Sequence, residues 1–123
     1  MNTLQAPEIV VQRQLDAYNK RDLAGWLSTY AANARQFEFP DTLLASGHDQ
    51  ISARSAARFQ EPNLHARLLK RTVMGHIVID HEEVTRTFAE GPGRIELVCI
   101  YEVRNDLIQN ASFVFGARTL DAT

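Results

Sequence analysis

The apolar residues of this 123-residue chain recur first with a helical period and then with the alternation of strands. Val11, Leu15 and Tyr18 are spaced as on one face of a helix, whereas residues 64–117 consist mostly of extended segments. Helices that precede a run of strands pack on one face of an antiparallel sheet. The sequence therefore predicts an α+β fold, and this order of elements is its strongest constraint.

Local signals place the individual elements. Pro7 suits the first turn of a helix, and Asp22 is a suitable N-cap for a second helix whose apolar stripe runs to Tyr30. We expect the other helices at residues 7–19 and 48–60, and strands at residues 35–39, 65–74, 76–80, 83–89, 94–104 and 107–117. We expect turns at Asp80–Glu82, Gly91–Gly93 and Asn105–Asp106 to separate the last strands.

Composition and charge narrow the class of protein. The chain is 45% hydrophobic and 23% charged, which is typical of one globular domain, here residues 1–123. A net charge of -2 without a basic run predicts no nucleic-acid or membrane partner. The lone Cys99 and the lack of a signal-peptide pattern predict a cytoplasmic protein. No spacing of His, Cys or carboxylates matches a metal site, so we expect no metal and no cofactor.

Five segments resemble the ketosteroid isomerases and SnoaL-like polyketide cyclases of the nuclear transport factor 2-like superfamily. They are Val10–Gln14, Asn19–Gly25, Tyr30–Ala34, Ser46–Gly47 and Phe113–Gly116. The segments follow the same order over nearly the whole chain. The resemblance implies a cone-shaped roll, in which three N-terminal helices pack on a strongly curved, mostly antiparallel sheet that encloses a pocket.

The same resemblance argues against the best-known reaction of the family. Where its isomerases carry an oxyanion-binding tyrosine, a basic aspartate and a protonated aspartate, this chain has Gln14, Phe39 and Tyr101. Phenylalanine cannot accept a proton, so ketosteroid isomerisation by that mechanism is not expected. Glu38 would supply a carboxylate only if the strand slipped by one residue, which would turn Gln36 inward. We expect the register that keeps Phe39 inside.

The resemblance also implies a largely aromatic pocket with a few polar groups. Its expected lining is Gln14, Tyr18, Tyr30, Arg35, Phe37, Phe39, Ser55, Phe59, Tyr101, Val103, Ala111, Phe113 and Phe115.

Four of the polar side chains are candidates for chemistry. Tyr101 is the first candidate catalytic residue, and it is equally interpretable as a core tyrosine. His65 is a candidate general base or a rim histidine. Arg35 either binds a ligand or is solvated, and Arg86 is expected to point to solvent, the common fate of arginine.

These features predict a protein that binds or acts on a small hydrophobic molecule, such as a cyclic carbonyl compound. If it is an enzyme, it is an isomerase, a lyase or cyclase, or a hydrolase. The alternative is a non-catalytic ligand-binding or protein-association module of the same fold. Val98 and Ile100 would place an apolar patch on the open sheet face, which predicts a homodimer through that face.

Overall fold

The chain folds into a helical layer that packs on one six-stranded sheet, which confirms the predicted α+β class. The computed structural model describes residues 4–121. Its elements are α1 (Pro7–Asn19), α2 (Leu23–Leu27), β1 (Tyr30–Glu38), β2 (Thr42–Ser46), α3 (Gly47–Ser55), a 3-10 turn (Arg58–Gln60), β3 (His65–Met74), β4 (Ile77–Phe88), β5 (Gly91–Arg104) and β6 (Leu107–Leu120).

The curved sheet has the strand order β2-β1-β6-β5-β4-β3. Neighbouring strands are antiparallel except β1 and β6, which run parallel. Helix α1 contacts strands β3 to β6, and α3 contacts β1 and β2. The helices therefore cover one face of the sheet, and the core lies between the two layers.

The link between α1 and α2 fixes the helical layer on the sheet. The Asp22 carboxylate accepts a hydrogen bond from the Gly25 N–H at 3.0 Å, so Asp22 is the predicted N-cap. The Asn19 amide donates to the Ala66 carbonyl at 2.9 Å and accepts from the Ala66 N–H at 2.8 Å. One side chain thus joins the end of α1 to the start of β3.

One predicted turn lies at the expected residues, and another lies earlier in the chain than expected. Asn105 and Asp106 have φ values of 55° and 61°, so they form the predicted two-residue hairpin turn. The turn expected at Gly91–Gly93 lies instead at Ala89–Glu90, because Gly91 already pairs with Phe88 in the ladder.

Strand β1 begins five residues earlier than predicted and has the opposite facing. Helix α2 ends at Leu27, so Tyr30 opens a strand and does not close a helix. Gln36 is buried, whereas Arg35 and Phe39 are exposed, so the expected register was wrong. A register shift against β2 between Gln36 and Phe37 breaks the simple alternation that the prediction assumed.

The polar turn predicted at Asp80–Glu82 is the middle of the continuous strand β4. Val78, Asp80, Glu82 and Val84 are all buried and alternate with outward residues. The Arg71 guanidinium on β3 binds both Asp80 carboxylate oxygens, at 2.7 Å and 2.9 Å. The strand can continue because this neighbouring cation compensates the buried carboxylate.

Removal of the Arg71 guanidinium tests that compensation. We expect Arg71→Met to lower the free energy of unfolding by about 3 kcal/mol or more, because Asp80 would stay buried without its partner. The matched control is Arg67→Met, which removes an exposed arginine paired with Glu83 and should change the free energy by less than about 1 kcal/mol. Urea unfolding measures both, and equal small losses would contradict the compensation.

Candidate functional site

A cavity of about 60 Å³ lies between the helical layer and the covered face of the sheet. Helices α1 to α3 and every strand except β2 and β3 contribute to its wall. The lining residues are Gln14, Leu15, Tyr18, Trp26, Tyr30, Gln36, Arg54, Ser55, Arg58, Glu82, Val84, Arg86, Leu97, Cys99, Tyr101, Phe113 and Phe115. The cavity is small, and it is lined by aromatic side chains from both layers and by several ionisable groups.

Four lining residues carry a buried polar atom that has no hydrogen-bond partner among the described residues. These atoms are Gln14 Oε1, Trp26 Nε1, the Tyr30 hydroxyl oxygen and Arg86 Nε. A buried polar group without a partner is destabilising, and such groups are rare in folded proteins. Their concentration around one cavity indicates that it accommodates polar atoms, above all acceptors for the indole and guanidinium N–H groups.

Glu82 is the carboxyl group of the cavity wall. It projects from the middle of β4 and is only 5% exposed. Burial raises the pKa of its carboxyl to about 7, the nearby Asp80 carboxylate adds to the rise, and the Arg71 cation opposes it. Glu82 can therefore take up or release a proton near neutral pH.

Asp80 and Arg71 support Glu82 from outside the cavity wall. Neither residue lines the cavity, although Asp80 is fully buried two positions before Glu82 on the same strand face. The Gln12 side chain on α1 accepts a further hydrogen bond from Arg71 at 2.8 Å. This network holds a second negative charge near Glu82 while the Arg71 cation compensates it.

Tyr101 and Cys99 lie on the neighbouring strand β5. Cys99 pairs with Asp80 across the ladder and Tyr101 with Val78, so both side chains share the face of Glu82. Burial raises the pKa of the Tyr101 hydroxyl and of the Cys99 thiol. Both groups are therefore neutral near pH 7 and can act as hydrogen-bond donors.

An aromatic cluster closes the helical side of the site. The Trp26 ring centroid lies 5.0 Å from that of Tyr30 and 5.2 Å from that of Phe59. The Tyr18 ring meets Phe59 edge to face at 5.4 Å. Burial raises the pKa of both tyrosines, so each keeps its proton at neutral pH.

Three arginines form the basic side of the cavity. Arg54 lies on α3, Arg58 opens the 3-10 turn, and Arg86 is on β4. Arg54 donates to the Gln36 amide oxygen at 3.2 Å, and the Arg86 guanidinium lies 5.0 Å from the centre of the Phe88 ring. The expectation that Arg86 points to solvent is wrong, since Arg86 follows the inward alternation of Glu82 and Val84.

Part of the predicted pocket lines the cavity. These residues are Gln14, Tyr18, Tyr30, Ser55, Tyr101, Phe113 and Phe115. Phe59, Val103 and Ala111 are buried in the core beside the cavity and do not form its wall.

The remaining predicted residues lie outside the cavity. Arg35 and Phe39 are exposed, and Phe37 is half-buried with the Arg35 guanidinium 5.4 Å from its ring centre. Glu38 and His65 are also exposed and do not line the cavity. Because they are exposed, neither can serve as the carboxylate or the general base of this cavity. The inward position on β1 is occupied by Gln36.

The sequence prediction missed the acid and most of the basic side, namely Glu82, Arg54 and Arg58. The signal for Glu82 was present as the alternation Val78-x-Asp80-x-Glu82-x-Val84. The three consecutive polar residues Asp80, His81 and Glu82 are typical of a turn. No residue near them in the sequence indicates that Arg71 compensates the charge of Asp80. Arg54 and Arg58 lie four residues apart, a spacing that places two side chains on one helix face.

Within residues 4–121, no three His, Cys, Asp or Glu side chains are grouped so that they could hold a metal ion. None of the helices in that part of the chain is long and apolar enough to cross a membrane.

Comparisons with known proteins identify the fold. The SnoaL-like domain family matches residues 11–111. An uncharacterized cystatin-fold protein from Novosphingobium aromaticivorans has a TM-score of 0.81 at 21% identity, over 89% of this chain and 98% of that chain. A candidate SnoaL-like polyketide cyclase from Jannaschia sp. CCS1 has a TM-score of 0.73 at 16% identity, over 93% and 91% of the two chains.

A protein from Catenulispora acidiphila with a ketosteroid isomerase-like fold, in complex with trimethylamine, has a TM-score of 0.73 at 18% identity, over 91% and 88% of the two chains. No curated protein matches the sequence. The resemblance stated from the sequence motifs is confirmed for the fold.

The raised pKa of Glu82 makes stability depend on pH. Because the folded protein holds this proton more tightly than the unfolded chain, its stabilising contribution is complete below about pH 4.5 and is lost as the pH rises through 7. We expect the ionisation of Glu82 to lower the free energy of unfolding by roughly 2.5 kcal/mol as the pH rises from about 5 to about 8.

Urea unfolding of the protein and of Glu82→Gln at both pH values measures this contribution. The variant should lose that part of the pH dependence. Parallel stability profiles for the two proteins would show that Glu82 titrates at an ordinary pKa.

Proposed function

This chain belongs to the SnoaL-like domain family, and we propose that it binds a small carbonyl compound with a hydrophobic body and transfers a proton on it through Glu82. The observation that carries this proposal is a buried carboxyl group in the wall of the cavity. A general base works best when its pKa lies near the pH at which it operates. The Glu82 carboxyl, with its pKa raised to about 7, meets that requirement.

The hydrogen-bond donors of the cavity can stabilise the negative charge that forms when Glu82 removes a proton. Removal of a proton next to a carbonyl moves the electron pair of the C–H bond onto the carbonyl oxygen as an enolate. The Tyr101 hydroxyl, in the same wall as Glu82, and the Trp26 indole N–H, on the helical side, are buried donors that line the cavity. Fixed donors in a site that excludes water stabilise such a developing negative charge. The protonated Glu82 then returns the proton to the same carbon or to another one.

The aromatic lining supports a hydrophobic ligand body. Phe113 and Phe115 line the sheet side with ring centroids 6.2 Å apart, and Trp26 lines the helical side. Small-molecule sites combine apolar walls with a few polar groups that fix orientation, and this cavity follows that pattern. The cavity of about 60 Å³ is partly open, so a ligand of the proposed kind would extend beyond it toward solvent.

Exchange of carbonyl α-protons with D₂O, followed by proton NMR, tests the proposal. The substrates are cyclohexanone, acetophenone and 4-acetylbenzoate. We expect the protein to accelerate exchange on at least one of them, and Glu82→Gln to lower that rate by about a hundredfold or more. Tyr101→Phe should lower the rate with little effect on the pH profile, because it removes a donor and leaves the base.

The matched control is Glu83→Gln, which removes the next carboxylate along β4 on the outward face. Its exchange rate should equal that of the unaltered protein. Exchange that persists in Glu82→Gln would contradict the assignment of the base. If ligands raise the melting temperature but none exchanges, the non-catalytic ligand-binding module replaces the enzyme as the function.

The predicted homodimer is a second proposal, supported by an apolar patch on the outer sheet face. Ile79 pairs with Ile100 between β4 and β5, and Val98 pairs with Val114 between β5 and β6. Ile79 and Val114 are 36% and 41% exposed. A second copy of the chain would bury this patch.

Sedimentation velocity tests the dimer. We expect the protein to sediment as a dimer and Ile100→Lys as a monomer, because a lysine in an apolar interface cannot be buried without a partner. Thr85→Lys is the control, since Thr85 lies farther along the outward face of β4. A monomer at all concentrations would exclude the dimer.

A further inference from the structure

Three guanidinium groups line one small cavity, and Glu82 is the single carboxyl group among the described lining residues. Arg54 and Arg58 approach from the helical side, and Arg86 approaches from β4. Within residues 4–121, none of the three has a carboxylate within 4.0 Å. Glu61 is the carboxylate that attracts Arg86, but it accepts the Thr87 N–H at 3.2 Å and does not line the cavity.

The grouping of three arginines is electrostatically unfavourable when no anion is bound. Burial lowers the pKa of Arg54 and of Arg86, and repulsion from Arg58 lowers both further. Arg54 at the end of α3 and Arg58 at the start of the 3-10 turn carry like charges in the same cavity and repel each other. The described residues compensate these charges only weakly, so an anion that enters the cavity would be strongly attracted.

A separate observation on the Arg86 side chain also indicates that the cavity binds an anion. Its Nε atom is buried and has no hydrogen-bond partner among the described residues. A guanidinium presents its N–H groups in a planar fork that matches the two oxygens of a carboxylate. An oxyanion in the cavity would satisfy this buried donor.

We propose that the ligand is a small organic carboxylate whose carboxyl group binds Arg54, Arg58 and Arg86 and whose apolar body lies against Phe113 and Phe115. This inference specifies the ligand class of the site and rests on the function proposed for the cavity. The carboxylate and the reacting carbon lie at different ends of the ligand, because Arg86 and Glu82 are four residues apart on one strand face, about 13 Å between Cα atoms. The substrate class is therefore an oxo acid with a hydrophobic body, in which the ketone and the carboxylate are separate groups.

Isothermal titration calorimetry with 4-acetylbenzoate and its neutral primary amide tests the carboxylate. We expect the acid to bind about tenfold or more tightly than the amide, and its affinity to fall as salt rises. Arg86→Gln and Arg58→Gln should each weaken acid binding about tenfold and weaken amide binding by less than about threefold. Arg58 lies in the 3-10 turn outside the sheet, so Arg58→Gln also tests the site if the Arg86 variant on β4 fails to fold.

The control variant is Arg13→Gln, which changes the net charge equally at an exposed residue on α1 outside the cavity. It should leave acid binding unchanged. Inorganic phosphate is the third probe, and it should bind more weakly than the acid because it has no apolar body. Phosphate binding as tight as that of the acid would overturn the organic ligand class.

The two proposals can fail separately. Equal affinity for the acid and the amide would overturn the carboxylate site, even if Glu82-dependent exchange on neutral ketones persisted. Tight binding of the acid that requires Arg58 and Arg86, without proton exchange on any substrate, would support the carboxylate site and refute the proton-transfer function.

Discussion

The ion pair between Arg71 and Asp80 decides how the middle of the sheet is built. Asp80 is fully buried in β4, and a carboxylate at that depth is tolerated only with a cation and further hydrogen bonds. Arg71 supplies both contacts from β3, and Gln12 extends the network to α1. A slip of β4 by one residue would separate the pair and turn Val78 and Val84 outward, so the pair also fixes the register.

The fixed register gives the cavity its chemistry. Glu82 follows Asp80 on the same strand face, and the nearby Asp80 carboxylate disfavours its ionised form. Arg86 lies four residues after Glu82 and also faces inward. A single strand therefore contributes both a carboxyl group and a cation to one wall. The cavity therefore has an acidic region and a basic region that are held at a constant separation by the strand itself.

The order of elements was predictable because it depends on local periodicity. The helix that begins at Pro7, the Asp22 cap and the Asn105–Asp106 turn each follow from a few adjacent residues. The facing of β1 and the continuity of β4 were not predictable in the same way. Gln36 lies inward beside the Arg54 guanidinium, and Asp80 requires Arg71, contacts between residues distant in the sequence. The candidate site depends on these two strands, so most of its acid and basic groups were missed.

The central position of β6 has a consequence for the order in which the sheet can assemble. This strand pairs with β1 on one side and with β5 on the other, so it alone joins the β2-β1 pair to the β5-β4-β3 meander. During synthesis, residues 30–46 can form no more than a two-stranded hairpin until residues 107–120 have emerged. Isolated hairpins are marginally stable in water. We therefore expect the helical layer to acquire its complete packing surface last, in one cooperative step that waits for the final strand and is slow because its contacts are so distant along the chain.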